Sequence, residues 1–94
     1  MYIDLIVWDA EDDPDGNFQH IVRAGEITAD EVEEVLFNHG SDQPDAYSDA
    51  TGNPIIFGTT STGKRIAVVY NDESDTDLII VRPVTAYPVR EYGG

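Results

Sequence analysis

The segment formed by residues 64–71, KRIAVVYN, restricts the fold of this chain more than any other part of the sequence. Its apolar residues fall on both sides of an extended backbone, because even and odd positions of the run are apolar alike. A strand that is apolar on both faces is typical of a central position in a sheet. The sequence therefore predicts a sheet built around this strand.

Other strands are predicted before and after this segment from their alternating apolar residues and the turn residues between them. The predicted strands are residues 2–8, 54–58, 64–71 and 77–82, with turns at residues 59–63 and 71–76. Because Pro83 has no N–H to give to a ladder, we expect residues 84–89 to form an edge segment at best.

Two helices are predicted between the first and second strands. The first helix follows Asp13, which is a suitable N-cap, and Pro14, which suits the first helical position. It ends near Gly25. A polar stretch rich in Asp, Pro and Gly, residues 41–53, follows the second helix and predicts a loop.

The second helix has the strongest local signal in the chain. Thr28 and Glu31 match a capping box. Ile27 and Val32 match the hydrophobic staple that often accompanies such a box. Apolar residues then recur at helical spacing until Gly40, so one face of this helix is predicted to be buried.

These elements give the order β-α-α-β-β-β in one domain that spans residues 1–94. The predicted fold class is α+β, with two N-terminal helices packed on a small, mostly antiparallel sheet and one parallel crossover.

Acidic residues dominate the charge. Nineteen Asp and Glu face five Lys and Arg, which gives a net charge of −14. Residues 1–50 hold fourteen acids and one base, whereas residues 51–94 hold five acids and four bases. Affinity for nucleic acid comes largely from cations that neutralise phosphates. We therefore expect no direct binding to DNA, and RNA binding only where the few bases gather on one face.

The cellular setting is predicted from what the sequence lacks. There is no cysteine, which excludes disulfides, thiolate nucleophiles and cysteine-bound metals. A small domain without disulfides is typical of the cytoplasm, where we place this chain. The first eight residues contain Asp4, lack a basic start and are too short for a signal peptide or a membrane span. We expect no membrane association.

Two ligand-binding motifs are matched only in part. Residues 58–64 fit Gly-x4-Gly-Lys, but Arg65 stands where a phosphate-binding loop needs Ser or Thr, and a strand follows instead of a helix. Residues 11–16 match the opening of a calcium-binding loop, but Val22 replaces its bidentate Glu. The histidines do not pair at metal-binding spacing. We predict neither a cofactor nor a metal site.

A basic set in the C-terminal half gives the strongest indication of chemistry. Lys64, Arg65 and Arg82 lie on or beside neighbouring predicted strands. Tyr70 and Tyr87 are interleaved with them. Cations that stabilise a phosphorane, beside rings that stack on bases, are what a metal-independent ribonuclease requires. The alternative is that these bases only offset a very acidic surface.

Five stretches of the sequence match the pattern of a known family over nearly the whole chain. They are Ile6-Val-Trp-Asp9, Asn17 with His20 and Gly25, the helix from Thr28 to Phe37, the run GTTSTGKRIAVVY from Gly58 to Tyr70, and the looser segments 79–86 and 91–92. In these positions the chain resembles the BrnT-type toxins, small members of the RelE-like superfamily of toxin–antitoxin ribonucleases.

The resemblance implies a RelE/BrnT-like fold, metal-independent cleavage of RNA and neutralisation by a partner antitoxin. In such a ribonuclease Lys64, Arg65 and Arg82 are expected to hold the phosphate. Tyr70 or Tyr87 is expected to stack on a base, and His20 to carry the proton. The alternative for His20 is a partly exposed helix residue without a chemical role.

A second hypothesis follows from the net charge of −14, since members of that family are generally basic. The chain is then a non-catalytic acidic interaction module, a degenerate toxin fold or a nucleic-acid mimic. Such a module binds a basic protein partner through the acidic N-terminal half, and its binding weakens steeply with salt. The sequence leaves both hypotheses open.

Overall fold

A computed structural model describes residues 3–40 and 43–89 of the chain. In chain order its elements are β1 (Leu5–Ile6), α1 (Asn17–Val22), α2 (Ala29–Phe37), β2 (Ala46–Tyr47), β3 (Pro54–Thr59), β4 (Arg65–Asp72) and β5 (Ile80–Pro88). The five strands form one sheet in the order β1-β5-β4-β3-β2. The β1–β5 pair is parallel and the other three pairs are antiparallel. The predicted α+β class with a mostly antiparallel sheet is confirmed.

Strand β4 lies at the centre of the sheet, as its two apolar faces predict. Ile66, Val68 and Tyr70 point into the layer between the sheet and the helices. Ala67 and Val69 point to the other face, where they join Ile55 in a smaller buried cluster. The buried residues of the helix-side layer are Ile3, Ile21, Ile27, Val32, Val35, Leu36, Ile56, Ile66, Val68, Tyr70 and Val81.

The capping box of α2 is present as predicted. The Thr28 Oγ1 accepts a hydrogen bond from the Glu31 amide at 3.2 Å, and the Thr28 amide donates to the Glu31 Oε1 at 2.9 Å. That backbone bond, with a smaller contribution from Lys64, holds the pKa of Glu31 below its usual value. Within the described part of the chain, neither α1 nor α2 has the length and apolar character needed to cross a membrane.

Helix α1 begins later than predicted. Its N-cap is Gly16, and Asp13 instead accepts a hydrogen bond from the Asp15 amide at 3.0 Å. The first helical amide, that of Asn17, donates to the Asp9 carboxylate at 2.9 Å. An added Cβ on Gly16 would lie 2.6 Å from the Cβ of Asp9. A carboxylate from outside the local sequence therefore caps this helix, which local capping rules do not anticipate.

Strand β5 continues through Pro83 to Pro88, so residues 84–88 belong to a strand that pairs with β4, which the prediction did not expect, although they do lie at the edge of the sheet beyond β1. The Glu73 amide donates to the Ile80 carbonyl at 2.8 Å, and the Val89 amide donates to the Arg65 carbonyl at 2.9 Å. Backbone N–H and C=O groups of successive residues in a strand point to opposite edges. Because Ile80 and Val89 bond to β4, Pro83 and Pro88 are at positions whose backbone groups point away from β4. A missing N–H costs no ladder bond there. One extra residue, Val84, is accommodated by the irregularity between Val69 and Tyr70.

Two other boundaries differ from prediction. Strand β1 is limited to Leu5–Ile6, because after Val7 the chain turns towards α1 instead of continuing along β5. The predicted loop 41–53 contains the short strand β2 at the opposite edge of the sheet, where it pairs with Pro54 and Ile55. Residues 41–42 of that loop lie outside the described residues.

The capping box should contribute measurably to stability. We expect Thr28→Ala to lower the free energy of unfolding by about 1 kcal/mol, because the Glu31 amide loses its acceptor. Urea denaturation measures the change. The matched control is Thr76→Ala, at an exposed turn residue, which should leave the midpoint unchanged. Equal effects of the two substitutions would show that the box has no special role.

Candidate functional site

A cleft of about 450 Å³ lies between the start of α1 and the outer edge of β5. Asp9, Asn17, His20, Arg82 and Val84 are among the residues that line it. Two of the four predicted catalytic residues, His20 and Arg82, are therefore brought together although they are far apart in sequence. It is larger than a second cleft, of about 260 Å³, that lies between the end of α2 and β3.

The wall of the cleft is built on the side chain of Asn17, which is only 8% exposed. Its Nδ2 donates to the carbonyls of Val7 and Pro83, each at 2.9 Å. Its Oδ1 accepts from the Asp9 amide at 2.7 Å. Both ends of the amide are thus engaged, and they join the end of β1 to the first residue of α1 and to the middle of β5.

Asp9 connects this wall to Arg82. One oxygen of Asp9 caps α1, and the other accepts from Arg82 Nη1 at 2.8 Å. The Asn17 amide, followed by Arg82, holds the pKa of Asp9 below its usual value. The ion pairs of Arg82 raise the pKa of the guanidinium, with Asp9 as the largest cause. We call Asp9, Asn17 and Arg82 the Asn17 network.

Arg82 also donates from Nε to the Glu73 carboxylate at 3.0 Å. One positive charge therefore faces two negative ones, which leaves this part of the cleft wall with a net negative charge. Of its five N–H donors, Arg82 uses two in these bonds. Donors remain for a ligand, but a phosphate reaching them meets the excess negative charge.

His20 lies on the exposed side of α1 at the rim of the cleft. No hydrogen bond or ion pair joins its ring to Asp9, Asn17 or Arg82. A general acid or base needs an orienting partner within hydrogen-bond reach of the reacting group. The cleft therefore holds an imidazole beside a guanidinium, without the fixed geometry of an assembled catalytic pair.

Lys64 and Arg65 lie far from this cleft. Arg65 begins β4, whereas Arg82 pairs with Asn71 near the other end of the same strand. At the usual rise of a strand these ends are about 20 Å apart. Lys64 donates to Glu31 at 3.2 Å and to the Glu26 carbonyl, at the start of α2. The three predicted phosphate ligands thus occupy two separate places.

The two tyrosines predicted to stack on bases differ in accessibility. Tyr70 is 2% exposed and part of the core between sheet and helices, and burial raises its pKa to about 12. A ring in that position has no free face for a base. Tyr87 is 44% exposed and lies opposite Ala67, on the sheet face away from the helices.

The acidic turns do not converge on a cation site. Among residues 3–40 and 43–89, no group of three or more His, Asp or Glu side chains is placed to hold a metal ion. In the turn before β5, Asp75 instead accepts from the amides of Asp77 and Leu78 at 2.9 and 2.8 Å. These carboxylates stabilise turns, as their spacing in Asp-rich segments indicates.

Sequence reasoning did not identify Asn17 and Asp9 as the residues that organise the cleft. Asp9 directly follows the first predicted strand, but Asn17 falls inside the first predicted helix, where no local signal marks it. Their partners, Val7, Pro83 and Arg82, become neighbours only through the parallel pairing of β1 with β5. Comparison with protein-family models, with curated proteins and with solved structures finds no match for this chain.

The Asn17 network should be the most sensitive polar feature of the fold. We expect Asn17→Ala to lower the free energy of unfolding by about 2–4 kcal/mol, because it leaves buried backbone groups without partners. Urea denaturation measures the loss. Asn38→Ala, at the exposed end of α2, is the matched control and should change little. A loss for Asn17→Ala no larger than that of the control would contradict this account.

Proposed function

We propose that this chain is a non-catalytic, acidic protein-binding domain whose partner is a basic protein. The observation that carries the proposal is that the Lys and Arg residues in the described part of the chain already have partners within the fold. The side chains of Arg23, Lys64 and Arg82 each donate to a group of the fold, and Arg65 also has a partner, so the positive charge of residues 3–40 and 43–89 is already engaged.

The individual contacts show how the positive charge is used. Arg82 lies between two carboxylates, and Lys64 lies against Glu31. Arg23 donates to the Pro14 carbonyl at 3.1 Å. These cations hold elements of the fold together, so a polyanion that binds them either displaces such a contact or meets the carboxylates beside it.

The carboxylates are distributed differently, since most of them are exposed. The exposed acids are Asp4, Glu11, Asp12, Asp13, Asp15, Glu26, Asp30, Asp45, Asp49, Asp72, Glu73, Asp75 and Asp77. They come from both halves of the chain and surround it with negative potential. Such a field steers a basic partner towards the surface and raises the rate of encounter, and it repels RNA.

A second candidate function is the metal-independent ribonuclease that the BrnT-like resemblance implies. What supports it is the cleft, because His20 and Arg82 line it together. Under this proposal the fold is RelE-like and the partner is an antitoxin. The two carboxylates on Arg82 and the distance to Lys64 and Arg65 weigh against it. We therefore place it second.

One binding experiment separates the two candidates. The folded chain is titrated into a labelled peptide of alternating lysine and serine and, separately, into a labelled single-stranded RNA. We expect the peptide to bind and the RNA not to bind. Peptide affinity should fall steeply as salt rises from about 50 to 200 mM, since opposite charges are screened. Absence of peptide binding at low salt would overturn the first proposal, and RNA binding would favour the second.

RNA cleavage provides the test of the second candidate. We expect RNA to stay intact with the wild-type chain. If the chain is instead a ribonuclease with His20 as proton carrier, His20→Ala should slow cleavage by about 10²-fold or more. Gln19→Ala, at the neighbouring position of α1, is the control and should cleave as wild type does. Cleavage that survives His20→Ala would exclude this role for the histidine.

A further inference from the structure

Three large apolar side chains are exposed at one end of the sheet. Leu5 is 49% exposed, Leu78 44% and Ile79 36%. The backbones of Leu5 and Ile79 are neighbours, because the Leu5 amide donates to the Ile79 carbonyl at 3.2 Å. We call these three residues the end patch. Exposed apolar groups that gather in this way mark interaction sites more often than scattered ones do.

The segment that carries Leu78 and Ile79 is held in place by hydrogen bonds. The Leu78 amide donates to Asp75 at 2.8 Å, and the Ile79 amide donates to Asp4 at 2.8 Å. The Ile80 amide donates to the Ser74 hydroxyl at 3.0 Å. A partner that binds here meets a surface already ordered, so it loses less entropy in ordering the segment.

Carboxylates flank the end patch in sequence, in the segment before Leu5 and in the segment from the end of β4 to Leu78. The carboxylates in these two segments are those of Asp4, Asp72, Glu73, Asp75 and Asp77, and all five are exposed. Among residues 3–40 and 43–89, the cation that forms an ion pair with one of these five carboxylates is Arg82, which binds Glu73. The patch therefore combines an apolar centre with a rim of one charge sign, which is the pattern of a polar-rimmed interface.

We propose that the end patch is the docking surface for the basic partner, and that it takes a segment in which Lys or Arg alternates with large apolar side chains. This inference rests on the proposed function and assigns it to a surface. It moves the contact from the acidic N-terminal half, which the sequence favours, to the β4–β5 turn and the start of β1. Apolar side chains of the segment cover Leu5, Leu78 and Ile79, while its cations meet the rim.

Charge selects this occupant over a second copy of the chain. In a symmetric pair the same patch lies on both subunits, so the two carboxylate rims face each other. Like charges placed opposite one another disfavour such a pair, whereas a cationic segment gains from every carboxylate of the rim.

Matched variants test the assignment. Leu78→Ala with Asp77→Asn removes one apolar side chain and one charge from the patch and its rim. Phe37→Ala with Asp49→Asn removes the same kinds of group elsewhere, since Phe37 is 49% exposed and Asp49 is an exposed turn residue. Both variants lose one negative charge, and neither touches the Asn17 network. Thermal unfolding checks that each still folds.

The probe is a short labelled peptide of alternating lysine and leucine, followed by fluorescence anisotropy at about 150 mM salt. The reference is the lysine–serine peptide of equal charge. We expect the patch variant to bind the lysine–leucine peptide about tenfold more weakly than wild type and the distant variant to bind as wild type does. Wild type should prefer the leucine peptide to the serine peptide.

Each other outcome has a defined meaning. Equal weakening in both variants, or equal affinity of wild type for both peptides, shows diffuse attraction to the whole acidic surface and overturns the docking assignment while the proposed function stands. Failure of both peptides to bind wild type at low salt overturns the proposed function as well. Dimerisation of the wild-type chain that Leu78→Ala abolishes would identify a second copy as the occupant and overturn the proposal.

Discussion

The structure depends on the side chain of Asn17. Its amide hydrogen-bonds to Val7 after β1, to Pro83 in β5 and to Asp9 on the approach to α1, and each bond satisfies a backbone group. Without it, the Pro83 carbonyl, which points away from β4, would lie beside the apolar core with no donor. The parallel pair of β1 and β5 extends over only two residues. The Asn17 side chain therefore supplies hydrogen bonds at this edge of the sheet that a longer ladder would otherwise supply.

Asp9 and Arg82 extend this arrangement to the surface. Asp9 caps a short helix that has no side-chain cap of its own, and Arg82 pairs with both Asp9 and Glu73, the residue that follows β4. Trp8, next to Asp9, donates to Glu33 of α2 at 2.8 Å and packs edge-on against Phe18 of α1. Residues 7–9 thus determine how both helices lie on the sheet. The cleft lined by Asp9 and Arg82 lies where the chain leaves the sheet after β1 and turns towards α1.

Local signals predicted the parts of the fold that short-range physics controls. The capping box of α2 needs only Thr28 and Glu31, and the central position of β4 follows from its own two apolar faces. The start of α1 and the course of β5 were missed for one shared reason. Each depends on tertiary placement, because Asp9 caps the first amide of α1 and Pro83 lies where its missing N–H faces away from β4. The sequence near Asp13 or Pro83 does not show that placement. The candidate site was predicted in part. His20 and Arg82 do line one cleft, but the sequence did not show that carboxylates would surround the arginine or that β4 would separate it from Lys64 and Arg65.

The outward positions of Pro83 and Pro88 bear on how this chain behaves at high concentration. A bare strand edge is a template on which identical chains add strand by strand into fibres. Here the outer edge of β5 beyond β1 lacks two amide donors and is bent by the irregularity opposite Val69 and Tyr70, and the outermost strands, β1 and β2, have two residues each. The residue that made β5 look unsuitable as a strand is therefore one that protects the sheet from growing into an aggregate.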